Sequence, residues 1–70
     1  MTQETVALVR RAVERELGEA EDNLIRFRAS GYKLTDSTPN GTWGEWVSGW
    51  ERKRDDAIAA LAELGIETHA

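Results

Sequence analysis

The chain contains no cysteine. That excludes disulfides and thiolate metal sites, and it makes a reducing, cytoplasmic setting the default expectation. A single histidine, His69 near the C-terminus, is too little for a structural zinc site, and no cofactor is expected. Proline occurs once, as Pro39, inside a run of turn residues. No apolar run approaches the length of a membrane span, and the start MTQETV has no signal-peptide character. The net charge of −4 comes from interleaved acids and bases, without the basic face that phosphate contacts need. Nucleic acid is therefore an unlikely partner on composition, and a membrane is not expected. Seven of the nine basic residues are arginine and alanine is plentiful, a bias expected of a GC-rich bacterial, archaeal or phage genome.

At 70 residues the chain allows one small domain with a thin core. Chains of this size fold alone only with idealised packing, a metal, disulfides or association. With metals and disulfides set aside, helix packing plus self-association is what remains.

What is present is organised around residues 42–65. Thr42 followed three residues later by Glu45 is a capping box. Trp43, Val47, Trp50, Arg54, Ala57, Leu61 and Leu64 then recur at spacings of four and three. With Trp46 and Ile58 they occupy an arc of roughly 120° on a helical wheel. Leu64-Gly65-Ile66 reads as a glycine stop in which Ile66 folds back near Leu61. The spacing predicts a helix over 43–64 and a frayed tail over 66–70.

The first half predicts a matching helix over 3–30. Thr2 is its N-cap and Glu4 puts negative charge in the first turn. Val6, Val9, Val13, Leu17, Ala20, Leu24 and Phe27 lie on an arc of about 80°. Charged residues cover the other faces, with Asp22 and Arg26 the clearest i,i+4 ion pair. Gly18 is the weak point inside it, marking either a close approach or a tolerated glycine. Gly31 ends this helix, with Tyr32 folding back on Phe27. A loop over 31–41 follows, in which Tyr32 and Leu34 are expected to turn inward and 36–40 to be a mobile turn. The fold class is all-α: a single antiparallel two-helix hairpin domain that dimerises into a four-helix bundle. In the expected register Phe27 faces Trp46, Leu24 faces Trp50, Ala20 faces Arg54, Leu17 faces Ala57 and Val13 faces Leu61.

Five side chains are candidate partner-binding residues: Tyr32, Trp43, Trp46, Trp50 and Arg54. Tryptophan is enriched at interface hot spots, although helical spacing also suits all three to filling the loop end of the bundle. Arg54 interrupts an apolar stripe. It must contact a partner, pair with a carboxylate such as Glu21 or Glu14, or reach water, and a register-fixing pair is the leading expectation. Arg10-Arg11 and Arg52-Lys53-Arg54 are each followed closely by acids, which favours a solvated face over a phosphate site. No histidine, cysteine or glycine-rich phosphate loop accompanies the acids, so no catalytic residue is expected. Trp43-Gly44 and Trp46-Val47-Ser48-Gly49 place tryptophan near glycine, as do the small secreted hairpins named for a Trp-X-Gly turn. Neither segment has that spacing, and the chain is not assigned to them. The sequence reading is a small non-enzymatic protein–protein interaction module, a homodimer of regulatory, inhibitory or accessory type from a bacterium or phage, with a helical nucleic-acid-associated regulator using the arginine clusters as the alternative.

Overall fold

The computed structural model describes residues 2–69, with side chains described through Gly65. Two helices, α1 (Gln3–Ser30) and α2 (Trp43–His69), flank a short ribbon of two strands, β1 (Ser37–Thr38) and β2 (Gly41–Thr42). The chain is an all-α hairpin apart from that ribbon.

Both ends of α1 form as their residues dictate. Thr2 is extended (φ −74°, ψ 159°), and its Oγ1 accepts from the Thr5 amide at 3.1 Å, satisfying one of the donors that a helix start leaves free. At the other end Gly31 adopts φ 79°, a conformation that costs glycine nothing. Ser30 Oγ donates to the Phe27 carbonyl at 2.6 Å and accepts from the Tyr32 amide at 3.2 Å, so the last turn is tied down.

The end of α2 departs from expectation. The helix does not stop at Gly65 but runs on to His69, so residues 66–69 are helical in backbone and only Ala70 of the expected tail lies outside the described residues. Positive φ among the described residues is confined to Gly31 and Gly41. Glycine permits a left-handed turn without imposing one. At Gly31 the chain reverses towards α2, whereas at Gly65 the helix continues. The expected Ile66–Leu61 contact involves a side chain outside the described residues.

The connection is more built than turn chemistry alone implied. Ser37 pairs with Thr42 and Thr38 with Gly41 in an antiparallel ribbon. Thr38 Oγ1 donates to the Gly41 carbonyl at 2.7 Å and accepts from the Asn40 amide at 3.2 Å, closing the turn over Pro39 and Asn40. Asp36 is the hinge of the segment: its carboxylate accepts from the Lys33 amide at 2.9 Å, and its own amide donates to the Lys33 carbonyl at 3.0 Å. The loop also caps α2. The Trp43 amide donates to the Asp36 carbonyl at 3.0 Å, the Gly44 amide to the Leu34 carbonyl at 2.8 Å, and the Glu45 amide to Thr42 Oγ1 at 3.3 Å. Those are three of the four amides that a helix start exposes. Gly44 fits closely here, since a Cβ at that position would lie 3.2 Å from the Leu34 oxygen and the loop would have to give by a few tenths of an ångström. Gly41 is favoured by its backbone: φ is 121°, a conformation that residues with a side chain rarely adopt.

Tyr32 and Leu34 are not turned inward. They are 55% and 54% exposed, because the loop spends its backbone on capping α2 and two helices leave no interior for the side chains to enter. The Asp22–Arg26 ion pair also does not form; among the described residues the salt bridge made is Arg54–Asp55. An exposed i,i+4 pair gains only ~0.5 kcal/mol, too little to hold two long side chains in one geometry.

The core is one seam of Val6, Ala20, Leu24, Ala57 and Leu64. Gly18 has open space around its Cβ position, so it is a tolerated glycine and not a close approach. The molecule measures 46 × 17 × 15 Å with a radius of gyration of 15.4 Å. A globule of this length would have a radius of gyration of about 11 Å. The hairpin is a rod.

Candidate functional site

Every aromatic residue of the chain joins one ladder at the loop end. Tyr32 stacks on Trp43 with centroids 4.9 Å apart and planes 11° from parallel. Phe27, from the last turns of α1, meets Trp43 at 5.5 Å and Trp46 at 6.4 Å. Trp43 and Trp46 stand edge to face at 5.2 Å, and Trp46 and Trp50 likewise at 6.1 Å. The ladder follows from sequence: Trp43, Trp46 and Trp50 share a face of α2 because they are three and four residues apart, and Phe27 reaches them in the hairpin register. Edge-to-face and stacked pairs each add roughly 1 kcal/mol beyond area burial.

All three tryptophans are half-buried. Each therefore serves both readings offered by its spacing: part of the ring fills the loop end and part faces out. Beside the ladder a groove of about 440 Å³ runs between the ribbon and the start of α2, lined by Thr38, Pro39, Asn40, Thr42, Trp43, Glu45 and Trp46. Its walls are indole faces and a proline ring, and its only formal charge is the Glu45 carboxylate.

Four of the five expected residues, Tyr32, Trp43, Trp46 and Trp50, come together. Arg54 does not join them. Its Nε donates to Asp55 Oδ1 at 3.1 Å, and its side chain is 30% exposed. The expected pairing with Glu21 or Glu14 of the same chain is thus replaced by a bond to the next residue along, which leaves the guanidinium at the edge of the seam. The cation at the ladder is Lys53 instead, with Nζ 4.5 Å from the Trp50 ring centre. In sequence Lys53 reads only as part of a basic cluster, although its i,i+3 spacing from Trp50 carries the signal. The ribbon residues Thr38 and Pro39 were also missed as walls of the groove.

Among the described residues no three of His, Cys, Asp and Glu gather as metal ligands would, and no helix is long and apolar enough to cross a membrane. No protein family, curated protein or solved structure matches this chain. What the fold defines is a helical hairpin with an aromatic end.

Proposed function

We propose that the chain is a small non-enzymatic protein–protein interaction module of regulatory or accessory type, and that it works as a homodimer in the form of a four-helix bundle. The observation that carries this reading is the aromatic ladder. Three half-buried indoles and an exposed Tyr32 are held by ring contacts on a capped helix start, beside a groove with little charge. Rigid aromatic side chains with remaining exposed area supply contact surface at low entropic cost, which is the make-up of interface hot spots. The test is a quantitative pull-down from bacterial lysate with the wild-type chain, Trp46→Ala and Tyr32→Ala. A protein retained by the wild type and lost by both variants, with their helicity intact, supports the reading. Equal retention by all three removes the ladder from the interaction.

The alternative, a nucleic-acid-associated regulator, has less in its favour. In the cluster Arg52-Lys53-Arg54, Lys53 lies over Trp50 and Arg54 bonds Asp55, so two of the three cations already have internal partners. Salt-sensitive binding to duplex DNA or RNA would restore that reading.

A further inference from the structure

The long sides of the rod are not equivalent. Each of the five buried seam residues is preceded by a polar one: Thr5, Glu19, Asn23, Asp56 and Glu63. The residues that follow them are Ala7, Glu21, Ile25, Ile58 and Gly65. One step along a helix is a turn of about 100°. Because the two helices are antiparallel, a step forward on either one leads to the same side of the hairpin. The preceding residues therefore make one mainly polar side, where Val9 is 39% exposed and the groove between the helices is rimmed by Glu16, Glu19, Lys53 and Asp56 over Val13 and Trp50. The following residues make the other side, which carries Ile25 at 60% and Ile58 at 51% exposure, with half-buried Val47 and Leu61 beside them.

The rod shape leaves area that a second chain can cover. The chain exposes 5515 Å². A compact monomer of this mass exposes about 4,400 Å². The excess, on the order of 1,100 Å², exceeds the ~800 Å² per partner of a standard stable interface. Charge placement names the partner. Arg54 stands on this isoleucine side with Asp55 as its salt-bridge partner, and Glu21 stands on the same side of α1 without a salt bridge among the described residues. Glu19 and Lys53 line the same groove, as do Glu16 and Asp56, which fixes the levels of the two helices. On those levels Val47 is abreast of Ile25, and Arg54 is three residues, ~4.5 Å of rise, from Glu21.

We propose that a second copy of this chain docks on the Ile25–Ile58 side about a two-fold axis parallel to the rod, setting Arg54 against the second copy's Glu21 and Ile25 against its Val47. This rests on the homodimer reading and specifies its geometry. An axis along the rod places α1 of each copy over α2 of the other at equal level, so both contacts are made twice. Every neighbouring pair of helices is then antiparallel, the arrangement that helix dipoles favour. It also brings the two aromatic ends together.

Sedimentation equilibrium on designed variants tests the geometry, with circular dichroism to check helicity. Ile58→Asp and Ile25→Asp should be folded monomers, while Ala60→Asp on the polar side should dimerise as the wild type does. Arg54→Glu and Glu21→Arg should each weaken dimerisation about tenfold, and the double variant should recover most of that loss. A nitroxide pair on Ser37→Cys should report a short distance, since the loops share an end; a separation near the 46 Å rod length overturns the proposed axis. Dimers that survive both isoleucine variants but not Ala60→Asp overturn the proposed side while leaving the homodimer intact. A wild type that stays monomeric removes the homodimer reading itself.

Discussion

The Tyr32 ring lies flat on the Trp43 ring at 4.9 Å although the loop separates them in sequence. The contact closes the ladder from outside: Tyr32 is more than half exposed, yet one of its faces is covered by an indole that also meets Phe27 and Trp46. It couples the end of α1 to the start of α2 through side chains, where the Asp36 and Leu34 carbonyls couple loop and helix through the backbone. Tyr32→Ala should cost about 1 kcal/mol, the value of one ring pair. A thermal melt with the indole emission spectrum checks it, and the spectrum should shift to the red as Trp43 gains water.

Two glycine substitutions should move stability in opposite directions. Gly18→Ala meets nothing within 4 Å and should stabilise α1 by about 1 kcal/mol. Gly44→Ala has the same helical benefit but sets a Cβ 3.2 Å from the Leu34 oxygen, where a capping bond is made. It should be destabilising by roughly 1 kcal/mol once the loop is forced back. Urea midpoints of the two variants decide the matter; the same sign for both would mean that the loop yields without loss.

Asp36→Ala removes the acceptor for the Lys33 amide and frees the segment whose carbonyl caps Trp43. The expected cost is about 1 kcal/mol. Amide exchange should rise first at Trp43 and Gly44, before the middle of either helix. Uniform exchange across α2 would show that the loop contributes nothing to its start.

Arg54→Leu should keep the hairpin and alter stability by less than about 1 kcal/mol, because a partly exposed pair with the adjacent Asp55 holds little. Its effect should instead be on assembly size, read by light scattering. A loss of several kcal/mol would mean that the guanidinium supports a network beyond Asp55.

How legible this was from sequence depends on the range of the interaction. The Thr2 cap, the Gly31 stop and the tryptophan face are local, and the spacing of a few residues determines each. The Phe27–Trp46 contact of the expected register is made at 6.4 Å, although Phe27 lies nearer Trp43, at 5.5 Å. The ribbon at residues 37–42 was missed because two-residue strands have no periodicity to detect, and Thr38 supplies its bonds through a side chain. Gly65 shows the reverse error: the same residue type that stops α1 passes through α2, since the need to turn is set by tertiary structure. Arg54 was misplaced because its acceptor was sought across the seam, and Asp55 was closer.

Self-association is the central claim, and sedimentation equilibrium of the unmodified chain across about 1–100 µM tests it most directly. The account predicts a species of twice the 7.8 kDa chain mass, dissociating on dilution, with a melting temperature that rises with concentration. A single 7.8 kDa species throughout, melting cooperatively at a temperature independent of concentration, would contradict it.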